Sequence, residues 1–298
     1  MILISLLIVL ALEFHFKIGS QYRDFKWFEK ARNFLAEVFS SRSFFDSWGG
    51  ICVILLSPVL ILYGFVSIFD GIIYSLVLLV VSIVVLFLTL GPISLEKTFE
   101  NYFESMDRDD LEGAYLHLKQ DDVELGAVAD TDIEPEEQNP DTPENDELVR
   151  NATRKILVES QKRYFGVIAW FIFLGPLGAL FYRLSHIYRD ACLTSEFDEH
   201  LPLMDSVIHW VDWVPARITS LLFLLTGDFV KGFYRIKDYL YDADANNDQL
   251  ISDTGIAALG LEMGVSTGGV DENHSSIELV HRTVIIYLVI AAVMTTIS

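Results

Sequence analysis

The sequence contains no Walker-type phosphate loop, no Gly-x-Ser-x-Gly elbow and no His-Glu-x-x-His motif. Each of those motifs carries a reaction in its local geometry, so their absence removes the enzyme classes that can be read from a short motif. Cysteine is nearly absent too. Cys52 and Cys192 stand far apart with no Cys-x-x-Cys spacing, which excludes a disulfide framework and a cysteine-held zinc. Cys52, inside an apolar run, is expected to be a small packing residue. Basic residues are scarce, 21 against 42 acidic ones, for a net charge of −21. A nucleic-acid partner is therefore not expected. Twelve of the acids lie in residues 121–147, which hold no lysine or arginine, so the rest of the chain carries only about −9.

What the chain has in abundance is apolar sequence. Hydrophobic residues make up 52% of its 298 residues, and the mean hydropathy is +0.37. Charge-free runs long enough to span a bilayer mark it as an all-α integral membrane protein. The expectation is a helical bundle with interfacial helices, two segments that either cross or re-enter, and an acidic, disordered cytoplasmic loop. Residues 1–95 read as a first apolar helix, an interfacial amphipathic helix and a transmembrane hairpin, 48–69 and 72–90, around Asp70-Gly71. The first twelve residues lack a basic start and a small-residue cleavage site, which argues against a removable signal peptide. Residues 96–120 have the spacing of soluble amphipathic helices. Residues 121–147, acidic and holding three prolines, read as a linker with too little apolar surface to repay ordering. Residues 148–298 form the helical core. The Arg/Lys-bearing segment before the hairpin and its uncharged tip place the soluble loops mainly in the cytoplasm of a multi-pass protein.

Within the core, the uncharged stretch 164–182 is broken by Gly175-Pro176. The break reads either as a kink or as the turn between two half-helices, a device that lines cavities in membrane proteins. The stretch 209–229, HWVDWVPARITSLLFLLTGDF, has a polar, tryptophan-rich first half and an apolar run too short to span. Pro215, lacking an amide hydrogen, is expected to start a helix at or just after itself. Asp212 and Arg217 flank it. They either neutralise each other while Trp210 and Trp213 anchor at the interface, or they belong to a polar site. Residues 242–253 superficially resemble a calcium loop, but Asn247 replaces the glycine and Asp253 the final glutamate. The last apolar helix, 283–297, looks short for a complete span.

Several elements together resemble the CobD/CbiB superfamily of membrane proteins. They are GVIAW (166–170), GPLGALFYR (175–183), VPARITSLL (214–222) and an Asp-Ala to Ala-Ala-Leu-Gly element (242–260), following a transmembrane hairpin. Arg163-Tyr164-Phe165 and HWVDWVPAR, with no adjacent acidic pair, resemble its AmpE branch more closely. The resemblance implies a link to the control of β-lactamase induction; the superfamily's best-known members are synthases that join an amino-alcohol phosphate to a corrinoid using ATP. The synthase pattern has an AENxxDG run before the GVIA element and a DDxxNxxPAR run. Here Gln161, Lys162 and Phe165 stand at its Glu, Asn and Asp, and Ile208 and His209 at its two acids. ATP-driven ligation needs carboxylates to hold Mg²⁺. The substitutions therefore point away from catalysis, and no catalytic residue, cofactor or resident metal is assigned.

The remaining side chains suggest a site for a small anionic ligand. Lys162, Arg163 and Arg217 would receive the anion, Arg217 with its two-pronged guanidinium. Asp190 and Asp212 would orient the cations. Tyr164, Trp210 and Trp213 would stack on the ligand or sit at the interface, and Asn246 would join from the 242–260 element. Expected partners are membrane lipid, the ligand, and a second copy or another membrane protein. The expected location is the bacterial inner membrane. The alternatives are a working ligase that uses Glu159, Asp190 and Asp212, and a dimerising scaffold without a ligand.

Overall fold

The computed structural model describes residues 2–16, 25–39, 45, 47–69, 71–90, 95–124, 144–194, 198–237, 239–261 and 270–297. Every regular element among them is helical. In chain order they are α1 (Ile2–Phe16), α2 (Lys26–Phe39), α3 (Trp48–Ser67), α4 (Gly71–Thr89), α5 (Leu95–Thr98), α6 (Glu100–Asp107), α7 (Leu111–Glu124) and α8 (Glu144–Ser160). A π-helical turn, Gln161–Phe165, leads into α9 (Gly166–Thr194); then come α10 (Leu201–Thr226), α11 (Phe229–Ile236), α12 (Asn247–Ala258) and α13 (Val270–Ile297). The helices form two compact units. One holds residues 1–93, 166–211 and 288–298; the other holds 94–165 and 212–287. The chain is an all-α membrane protein; among the described residues, three helical stretches are by length and composition apolar and long enough to cross a bilayer: Trp48–Ser67, Asp146–Leu193 and Asp271–Thr296.

In the first unit, α3 and α4 are apolar on every side, as helices surrounded by lipid are. Leu60, Ile61, Ile73 and Leu76 face outward, and Cys52 is exposed among such residues. It is not the packing residue expected, because a helix apolar all round gives no sign of which face meets lipid. The inward faces supply Ile51, Ile54, Leu55 and Val85, which pack with Phe28 of α2 and with Leu180, Leu184, Tyr188 and Cys192. Those last four recur every four residues and form one stripe of α9. His200 closes this core, one ring nitrogen bonded to the Tyr188 hydroxyl and the other 2.8 Å from the Phe45 carbonyl.

Helix α9 is not one rod. Gly175 has φ 65° and ψ −151°, a region open essentially to glycine alone, and Pro176 starts the second arm, where a missing amide hydrogen costs nothing. A Cβ placed on Gly166 would lie 2.1 Å from the Tyr182 hydroxyl. Sixteen residues along a straight helix are separated by about 24 Å, so the arms must fold back on each other. The first arm, 166–174, continues α8 and the π-turn without a break, so it is the apolar end of a longer helix. Of the two readings of this segment, the structure has the turn between helices.

The helix start expected at Pro215 is not there: α10 runs unbroken from Leu201 to Thr226. Proline at that position leaves the carbonyl of Val211 without its amide, and the Trp170 indole donates to that carbonyl at 3.0 Å. The proline's main cost is thereby met from outside the helix. The last helix is also longer than its apolar run, 28 residues from Val270, because its first turns carry Asp271, Glu272 and Glu278. The acidic linker is narrower than expected. Residues 121–124 continue α7 and 144–147 open α8, while 125–143 lie outside the described residues.

In the second unit, α8 packs on α12 and α11 on α12. Asn273 joins three elements, accepting from the Tyr102 hydroxyl at 3.1 Å and donating to the Val149 carbonyl and Thr153 hydroxyl, both at 2.9 Å. Phe165 packs between Tyr287, with rings stacked at 5.4 Å, and Phe223, edge-on at 5.6 Å.

Candidate ligand site around Arg217

Arg217 lies on the face of α10 that meets the start of α12. Its Nε donates to the Leu240 carbonyl at 3.1 Å; Nη1 donates to the Trp213 carbonyl and to Asn247 Oδ1, both at 3.0 Å; Nη2 donates to the carbonyls of Tyr239, at 3.4 Å, and Asp242. A guanidinium has five N–H donors, and all five are matched to protein acceptors. Its carbon also sits 4.0 Å over the Trp213 ring, a cation–π contact. Arg217 therefore clamps the segment 239–247 to α10.

That clamp holds the beginning of α12. Asn246 is its N-cap, accepting from the amides of Asp248 and Gln249, a role asparagine suits because its side-chain oxygen reaches the orphan amides of the first turn. The helix starts inside the segment that resembled a calcium loop, so residues 247–253 wind as helix. Asp248 also reaches across to Lys162, Nζ to Oδ2 3.3 Å. Lys162 and Arg217 thus bind neighbouring residues at one helix start.

Arg163, 3% exposed, donates from Nε to Glu159 at 3.1 Å and from Nη1 to the Thr98 hydroxyl at 2.8 Å. Glu159 is thereby committed to an ion pair. The other expected residues divide. Asp212, Trp213 and Tyr164 belong to the same unit as Arg217, and Asp212 is buried. Asp190 and Trp210 belong to the first unit, and Trp210 is 60% exposed.

Sequence reasoning passed over the side chain with the most unusual surroundings. Gln161 opens the π-turn, is 2% exposed, and neither its amide nitrogen nor its oxygen has a hydrogen-bond partner among the described residues. The Ser220 hydroxyl and the Trp213 indole nitrogen are likewise buried without a partner among them. Gln161 precedes Phe165 by one helical turn and Ser220 precedes Phe223 by three residues, and those two rings touch. The unmatched groups of Gln161 and Ser220 thus belong to the two elements that meet at this seam, the π-turn and α10. A buried polar atom without a partner costs about 1–3 kcal/mol, and π-turns of this kind recur at functional sites. The signal was in the sequence: a glutamine between an apolar helix face and a basic pair. Among the described residues, no three His, Cys, Asp or Glu side chains cluster as a metal site would require.

Comparison with known proteins places this arrangement. A family model described as regulatory signalling modulator protein AmpE matches residues 1–298. The chain belongs to the AmpE family. A more distant likeness is to the cobalamin biosynthesis protein CobD of Chromobacterium violaceum, 29% identical over 129 residues, 42% of this chain and 41% of that protein. The chain thus spans well under half of the curated relative it matches, and the likeness supports a common origin of AmpE and CobD proteins. No solved structure matches.

Proposed function

We propose that this AmpE-family chain is a non-catalytic regulatory protein of the bacterial inner membrane, its loops mainly cytoplasmic, that modulates β-lactamase induction or a related cell-wall stress response. It does so by taking a small anionic ligand at the seam beside Gln161 and Lys162, on a scaffold shared with membrane ligases. The observation that carries the reading is the Gln161 carboxamide, buried at the start of the π-turn and unmatched among the described residues. Its N–H groups donate to an oxyanion, and Lys162, a quarter exposed beside its Asp248 partner, supplies the nearby charge. Arg217 has no donor to spare, so its part is to hold α12 in place rather than to receive the ligand.

The test replaces the chromosomal copy with Gln161→Leu, a substitution of similar volume that removes both unmatched polar groups. Induction by a β-lactam should fall to the level of the deletion strain, with the protein still present in the membrane at its normal amount. Unchanged induction in the variant would reduce the seam to a hydration site. ATP turnover by the purified protein with a corrinoid carboxylate would return the ligase reading instead.

A further inference from the structure

The eight-residue helix α11, FVKGFYRI, turns a large apolar face outward instead of burying it. Val230 is 65% and Tyr234 71% exposed, Phe229 and Phe233 are nearly half exposed, and the two phenylalanine rings stack at 5.6 Å. The opposite side of the helix is fully used. Ile236 is buried, and Gly232 sits so close to Leu224 that a Cβ there would lie 2.0 Å from its methyl carbon. Leu221 and Leu225, near the end of α10, are exposed as well.

Charge identifies what covers this patch. In a chain with twice as many acids as bases, residues 228–238 carry Lys231, Arg235 and Lys237 against Asp228, which caps the helix, and Asp238, a local net charge of +1. Lys237 lies over the Tyr234 ring, 5.8 Å from its centre. Aromatic rings beside lysine, on a short helix that follows an apolar run, are the composition of a helix lying flat in the headgroup layer. We propose that α11 is such an interfacial anchor, seated in a bilayer surface rich in anionic lipid, with its aromatic face toward the acyl chains. This assignment is independent of the ligand seam.

The experiment uses the full chain in vesicles of phosphatidylcholine alone or mixed three to one with phosphatidylglycerol. In a Cys52→Ala, Cys192→Ala background, Tyr234→Cys and, for comparison, Asp244→Cys are labelled with an environment-sensitive fluorophore. The label at 234 should emit to the blue and be quenched by shallow spin-labelled lipid several-fold more than the label at 244, and more strongly with the anionic lipid. Lys231→Glu with Lys237→Glu should abolish that lipid preference. Water-like emission without quenching would overturn the proposal, and so would blue emission that ignores lipid quencher and follows protein density, the mark of a second copy. Equal quenching in both vesicles would overturn the anionic preference. As a check free of the cysteine background, a photoreactive phenylalanine at 234 should cross-link to lipid; cross-linking only to protein would also overturn it.

Discussion

The indole nitrogen of Trp170 donates to the one carbonyl of α10, that of Val211, which Pro215 leaves without a partner four residues later. The side chain stands in for a missing backbone amide. Trp170→Phe keeps most of the ring but strands the carbonyl, at a cost of about 1–3 kcal/mol. In a Pro215→Ala background the helix supplies its own amide, and the same tryptophan change should cost little. A double-mutant cycle on thermal unfolding in detergent therefore gives a coupling of about 1 kcal/mol or more. Additive effects would show that the indole is not replacing that amide.

Gly175→Ala probes the turn of α9. At φ 65° and ψ −151° an alanine is strained by about 1–3 kcal/mol, while the space around the position is open, with no atom within 4 Å of an added Cβ. The loss is thus one of backbone conformation alone. Cross-linking of a cysteine pair at 166 and 182 should decline in this variant. Undiminished cross-linking, with unchanged melting temperature, would mean that the reversal does not depend on the glycine.

The charge-free runs that became α3 and α4 were legible because lipid imposes one requirement, apolarity, on every side chain. So was the interruption at Gly175-Pro176, since no other pair of residues marks a reversal so plainly. The start expected at Pro215 failed because the remedy, Trp170, lies forty-five residues away and its use of a carbonyl leaves no trace in sequence. The same holds for Arg217: four of its five donors go to backbone carbonyls, which every residue carries. Its type was informative and its partners were not. The early turns of α13 were missed for a different reason. They pack through Glu272, Asn273 and Ser276, all buried, so their helix owes nothing to the apolar periodicity by which helices are recognised.

Arg217→Lys retains the charge and loses the planar fork. A lysine has three donors for five acceptors, and hydrogen bonds to a charged group contribute about 1.5–3 kcal/mol each. The variant should therefore be several kcal/mol less stable and should open first at 239–247. Limited proteolysis would show faster cleavage there, with Arg217→Ala no more than modestly worse. A lysine variant indistinguishable from the parent would mean that charge alone holds the segment.

The Glu159–Arg163 pair joins two side chains only 9% and 3% exposed, one helical turn apart. Removing one partner of a buried pair strands the other charge, at a usual cost of about 3–5 kcal/mol. Glu159→Gln should therefore lower stability at pH 7 by that amount, read as thermal unfolding in detergent. Glu159→Gln with Arg163→Met, which removes both charges, should recover much of the loss, because no buried charge is then stranded. A double variant no more stable than Glu159→Gln alone would show that the two charges do not depend on each other.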